Sequence, residues 1–351
     1  MLRRPTRAAL AGALTLLTAL TVGATVAGAP ADAGDTARTG APTAAGVSAD
    51  PAAPCDPDAT YPAPLPAATM TASRISGGFS FLEGPVWLAG PGQLLLSDMR
   101  GGTGPQNVQP STIRRFTPPA TFDVFLDDAG SNGLAVTRDG SRILAATHDQ
   151  RSVSSYLLSD RSRGTLAGDF QGRRFNSPND LTIHSDGTVY FTDPNFQRGN
   201  RPDELAGMTG VFRVRDGEVS LVDDTVRQPN GVVLSPDETT LYVGGNADNL
   251  VFSYDLLPDG SVGERTVFAS LPGPDGATVD CAGNVYWASY TDGRIHVFAP
   301  TGEKLGTISA GRNTTNAAFG GSDGRTLFIT SGTWGNFGLY QVHLGVPGSP
   351  Y

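Results

Sequence analysis

One layout occurs six times between residues 83 and 344 of this 351-residue chain, and that repetition limits the fold more than any other feature. Each copy runs from a polar residue through a short apolar stretch and a turn to a β-rich stretch ending in small or polar residues. The copies read EGPVWLAGPGQLLLSD from Glu83, NGLAVTRDGSRILAATH from Asn132, NDLTIHSDGTVYFTD from Asn179, NGVVLSPDETTLYVGG from Asn230, DGATVDCAGNVYWAS from Asp275 and NAAFGGSDGRTLFITS from Asn316. Their starts lie 41 to 51 residues apart, and a third strand such as STIRRFTP, GVFRVRDG or NLVFSYDL follows each. A unit of this length with about four strands is one blade of a β-propeller, so six units predict an all-β, six-bladed propeller. The last unit runs out of chain after its third strand. Residues 69–75 are therefore expected to supply the fourth and close the ring, leaving no free edge.

Composition sets the remaining boundaries. Gly 45 and Pro 26 against Met 4 suit short strands and many turns rather than long helices. A formal charge of −9 disfavours phosphate-tracking nucleic-acid binding and anionic membranes. Residues 1–33 read as an export signal: Arg3, Arg4 and Arg7 precede an uncharged Ala/Thr/Leu/Val-rich run, with cleavage expected after Ala29 or Ala33. Thr, Gly and Ala dilute that run too far for a transmembrane anchor. Its removal takes away three bases and one acid and leaves a charge of −11. Residues 34–66 are Ala/Pro/Gly/Thr-rich and are expected to form a flexible lead, with the propeller occupying residues 67–351. Cys55 in the lead and Cys281 in the fifth unit are the only cysteines, and in an oxidising compartment they are expected to pair. The mature chain is expected to be secreted, monomeric and without stable membrane association.

In a propeller the first strand of every blade lines the central channel, so equivalent positions at its start form a ring about the axis. Here those positions are Glu83, Asn132, Asn179, Asn230, Asp275 and Asn316, each with a side-chain oxygen. Asn-Gly and Asp-Gly are also turn dipeptides, which alone would account for Asn132, Asn230 and Asp275. Each of these units, however, has its turn later, at Asp139-Gly140, Pro236-Asp237 and Ala282-Gly283, and Asn179 and Asn316 lack the following glycine. The ring is therefore read as a site. Two carboxylates with up to four amide oxygens, and no His or Cys, form a hard donor set that suits Ca²⁺ first, then Mg²⁺ or Mn²⁺, and Zn²⁺ least. Such an ion either ties the blades together or acts as a Lewis acid on a carbonyl or phosphoryl oxygen.

The segments EGPVW (Glu83 to Trp87), SNGLAVTRDG, NSPNDLTIHSDGTVYFTDP, QPNGVVLSPDETTLYV, PDGATVDCAGNVYWA and TTNAAFGGSDGRTLFIT span nearly the whole folded body. With them the chain resembles the senescence marker protein/gluconolactonase family of six-bladed propellers, the regucalcin-like lactonases. The resemblance implies one catalytic divalent cation held by Glu83, Asn179, Asn230 and Asp275, with Asp275 as the acid/base in hydrolysis of a small-molecule lactone, a carboxylic ester. Animal members carry Arg where this chain has Ser177, and their substrate-contacting Glu falls near Gln197. The NSPND form looks like the bacterial gluconolactonase branch, whose His-Gly-Asn-Arg-Arg stretch reads His148-Asp149-Gln150-Arg151-Ser152 here. Asn132, His148, Ser177 and Asn316 are accordingly expected at the substrate. The alternatives are a phosphotriesterase of the diisopropylfluorophosphatase kind, which shares fold and ligand set, and a non-catalytic binding propeller with a structural cation. His184, His296 and His343 are assigned no role. Trp87 and Trp287 are expected in inter-blade cores, and Trp334, which follows a strand end, at the channel mouth.

Overall fold

A computed structural model describes residues 55–56 and 58–350. The expected export signal and the lead up to residue 54 lie outside the described residues. Those described form strands and turns, with no helix among them. Six sheets, each with four antiparallel strands ordered from the channel outward, form the blades. Blade 1 spans residues 82–126, blade 2 131–167, blade 3 181–223, blade 4 229–270, blade 5 274–309 and blade 6 314–343.

Burial falls from the axis outward, and the residue patterns explain why. A blade's two inner strands are covered on both faces by neighbouring blades, so they read as near-continuous apolar runs: Pro229–Leu234 and Val285–Ser289 are buried at every position. Outer strands such as Glu218–Asp223 meet water and carry charge. The cores are accordingly inter-blade, one cluster at each of the six junctions among the described residues. Trp87 stacks on Phe328 between blades 1 and 6, and Trp287 is fully buried between blades 4 and 5, as expected of both.

Closure differs from the expectation in one respect. Ser73–Phe79 pairs antiparallel with Asn336–His343 and completes blade 6. Thr69–Thr71 does not join it. These residues run parallel to Lys304–Ser309 as a fifth strand of blade 5. The chain changes blades at Ala72, whose N–H donates to the Ser309 carbonyl (2.8 Å) and whose methyl is buried in the core between blades 5 and 6. One apolar residue at the crossing thus splits a stretch that reads as continuous.

Cys55 and Cys281 form the expected disulfide across 226 residues of sequence. The first residue after Cys55 that enters the core is Leu65, between blades 5 and 6. Chain-entropy reasoning caps such a long loop at about 5 kcal/mol. Releasing the bond frees a short stretch of the native state as well, which offsets part of that. Cys281→Ser is expected to lower stability by about 2–4 kcal/mol, read as a drop in the urea midpoint at unchanged m-value.

Candidate active site

Glu83, Asn132, Asn230, Asp275 and Asn316 all lie in the first two or three residues of the innermost strand of their blades, and all are buried. Asn179 occupies the same place in blade 3, just ahead of Leu181–Ile183. In five blades the ladder to the second strand breaks at this point, between Glu83 and Val86, Ser131 and Leu134, Pro229 and Val232, Pro274 and Ala277, and Thr314 and Asn316. A bulge releases residues from the ladder and re-aims their side chains. The freed carbonyls are taken up elsewhere: Ser97 Oγ donates to Asn132 O (2.7 Å), Thr192 Oγ1 to Asn230 O (2.7 Å) and Trp287 Nε1 to Asp275 O (3.0 Å).

The glycines of the Asn-Gly and Asp-Gly pairs serve this ring and not turns. A Cβ on Gly231 would lie 2.2 Å from the Asp275 carbonyl oxygen, and one on Gly133 would lie 2.4 Å from Asp180 Oδ1. Each strand leans on the ring residue of the next blade, closer than any side chain permits. The hairpin turns come later in each repeat. Gly231→Ala is expected to cost at least about 3 kcal/mol, because the obstruction is backbone that cannot rotate away, and thermal denaturation reads it directly.

The structure adds a residue absent from the sequence-derived ring. Asp180 stands in blade 3 where blades 1, 2, 4 and 5 have the packing glycine. It is buried, its Oδ1 accepts the Leu181 N–H (2.9 Å), and Thr192 fixes it from both sides through Asp180 N to Thr192 Oγ1 (3.1 Å) and Thr192 N to Asp180 O (3.0 Å). The preceding loop is clamped by Asp193, whose carboxylate accepts from Asn176 N (2.7 Å), Asn176 Nδ2 (3.1 Å) and Ser177 N (2.8 Å). One signal for Asp180 was in the sequence: it is the acid in an otherwise Gly/Ala column.

Three carboxyls therefore share a buried ring, and each disfavours ionisation of the others. Burial first, then Asp180, pushes Glu83 up to about 8, against hydrogen bonds from Asn316 Nδ2 (3.2 Å) and Gly84 N (3.1 Å). Burial pushes Asp180 up to about 7. Asp275 is raised well above the usual carboxylate range by burial and by the charges of Glu83 and Asp180. A divalent cation would offset the mutual repulsion of these carboxyls and could be held by oxygen donors alone. The residues present fit such an ion.

Two expected substrate residues stand apart from the ring. Ser177 is fully buried, its hydroxyl donating to Pro194 O (2.6 Å) and accepting from Gln197 N (3.1 Å), so it tethers the loop of residues 194–209. His148, expected at the channel mouth, is also fully buried. Its Nε2 faces Gln109 O at 2.8 Å, Nδ1 has no partner, and burial drives its pKa down to about 4, so the ring is neutral. It lies beneath a bridge made where the 194–209 loop meets residues 100–110, with Asn200 N donating to Gln106 O (2.8 Å). Arg201 pins that bridge to His148 O (2.8 Å), Asp149 O (2.7 Å) and Gln197 O (2.6 Å).

On the other side of the ring a cavity of about 1100 Å³ continues along the channel. Asp180 and Asn316 reach its inner end, Val86, Leu134, Ile183 and Val233 line its wall, and Cys55, Tyr61 and Pro350 border its far end.

Comparison with known proteins agrees with this architecture. The SMP-30/Gluconolactonase/LRE-like region matches residues 81–333. The chain belongs to that family. Among the family's relatives, the gluconolactonase of Zymomonas mobilis is 35% identical over 289 residues, covering 73% of this chain and 78% of the relative. A pentonolactonase of Haloferax volcanii is 28% identical over 271 residues, covering 75% and 85%. The solved gluconolactonase of Xanthomonas campestris superposes with a TM-score of 0.67 at 30% identity, covering 85% of this chain and all (100%) of the other.

Proposed function

We propose that this SMP-30/gluconolactonase family member hydrolyses a sugar lactone at the buried ring, with a divalent cation held by Glu83, Asn179, Asn230 and Asp275. The enzyme class, a lactone hydrolase, rests on the family and on gluconolactonase relatives. The observation that carries the site assignment is geometric: Glu83, Asn132, Asn179, Asn230, Asp275 and Asn316 stand, all buried, at the start of the innermost strands of six successive blades. Buried carboxyls that repel one another are retained where they bind an ion or move a proton. Calcium suits the hard oxygen donors best. When bound, the cation supplies polarisation of the lactone carbonyl.

The chain's own residues supply the rest. With its carboxyl ionised, as a bound cation would keep it, Asp275 takes a proton from the attacking water as the water oxygen adds to the carbonyl carbon, and the same proton goes to the ring oxygen as the C–O bond breaks, giving the open hydroxy acid. A carboxylate that is both ion ligand and base carries two tasks. Asp180 adds a further carboxyl to the ring, and its charge raises Asp275. Asn132 and Asn316 present amides beside the ligands to hydrogen-bond substrate. His148 and Ser177 act one layer behind, holding the two loops that border this end of the channel. Export of the mature enzyme is part of the same proposal, supported by the residue pattern of 1–33 and by the Cys55–Cys281 bond.

The discriminating experiment sets glucono-δ-lactone beside a phosphotriester with Ca²⁺-loaded protein. Turnover of the lactone supports the proposal, and turnover of the phosphotriester alone moves the assignment to the diisopropylfluorophosphatase kind.

A further inference from the structure

Trp334 stands in the turn between Thr326–Thr333 and Asn336–His343 of blade 6, with 54% of its surface exposed. Exposing that much of the largest apolar side chain forfeits burial energy, so its position matters. It is not isolated. Phe81 packs against Trp334 (ring centroids 5.2 Å apart), Phe337 (4.5 Å) and Tyr290 (6.4 Å). Phe81 comes two residues before Glu83, and Gly335 N donates to Ser80 O (2.8 Å), fixing the Trp334 turn to the strand that enters the ring. Tyr290 N donates to the carbonyl of Gly273, two residues before Asp275 (3.0 Å). The aromatic group is thus tied by backbone hydrogen bonds to the strands that carry Glu83 and Asp275, at the end of the channel where those strands begin. The mouth is apolar on the side of blades 5, 6 and 1.

We propose that Trp334, seated on Phe81 beside Tyr290, is a specificity residue: it receives an apolar aryl or alkyl substituent carried outside the lactone ring, while the hydroxylated ring lies at the carboxylates. This rests on the lactonase reading above and names its substrate class more closely as an amphiphilic lactone. Aromatic faces also stack on the C–H face of a second sugar, so the test separates the two sources.

The experiment compares kcat/KM for glucono-δ-lactone, its 6-O-benzyl ether and its 6-O-glucosyl derivative in wild type, Trp334→Ala and Trp334→Phe, all with Ca²⁺. Wild type is expected to favour the benzyl ether over the parent by about tenfold, the loss of one aromatic contact's worth of binding in Trp334→Ala to reduce that preference to about twofold, and Trp334→Phe to keep most of it. No preference in wild type, a preference unchanged in Trp334→Ala, or a preference confined to the glucosyl derivative overturns the proposal. Trp334 is exposed, so neither variant threatens the fold. Should wild type hydrolyse none of the three, the lactonase reading fails separately, and calorimetric binding of the 6-O-benzyl gluconolactam still decides this one: at least fivefold weaker binding in Trp334→Ala upholds it, and equal affinity overturns it.

Discussion

Asp275→Asn is expected to lower lactone hydrolysis by about a thousandfold while the propeller stays folded. Asparagine keeps the volume and one oxygen donor but can neither take the proton nor offset an ion's charge. The backbone that places residue 275 is held independently, by Trp287 Nε1 on its carbonyl (3.0 Å) and by the contact of Gly231 against that oxygen. Unfolding measured without divalent cation should show the variant at least as stable as wild type, because a buried carboxyl raised by Glu83 and Asp180 has been removed. A variant that loses stability and keeps its activity would assign Asp275 to structure.

The second large effect is on stability against pH. Glu83 (about 8), Asp180 (about 7) and Asp275 all titrate in the folded chain above their ordinary values, so between about pH 4 and pH 8 the folded state holds protons that the unfolded state has released. The contribution of these three groups to stability without cation is therefore full below about pH 4 and falls as pH rises toward 8. Glu83 alone amounts to about 4–5 kcal/mol at most across that window. Surface acids lowered by local hydrogen bonds, such as Asp139 and Asp259, act in the opposite sense but below their ordinary values, outside the window. A cation held as proposed would bind the ionised ring, so the rise in Tm on adding Ca²⁺ should be large at pH 8 and small at pH 5. Equal rises at both pH values would contradict a buried, proton-competed ion site.

Why some of this was legible in the sequence and some was not follows from the range of each interaction. The six blades were readable because a repeat writes the same short-range pattern many times, and the ring register followed from aligning the repeats. The glycines after Asn132, Asn230 and Asp275 were ambiguous, since turn chemistry and close packing select the same residue. Only the neighbouring blade, an element some 40 residues away in sequence, decides between them. Asp180 is marked in sequence only as the acid of a Gly/Ala column, and its place opposite Gly133 depends on how blades 2 and 3 meet. The bridge of residues 100–110 with 194–209 has no periodicity at all. Its geometry comes from Arg201 and Ser177 finding carbonyls in other loops, which buried His148 instead of presenting it. The split of residues 69–79 between blades 5 and 6 likewise turns on a single buried methyl, that of Ala72.

The most direct measurement is the rate of glucono-δ-lactone hydrolysis, followed with a pH indicator, in protein stripped by chelator and then given back Ca²⁺, Mn²⁺ or Zn²⁺ in turn. The ring account predicts background hydrolysis in the stripped protein and recovery with one equivalent of ion in wild type but not in Asp275→Asn. Undiminished hydrolysis by the stripped protein would contradict it.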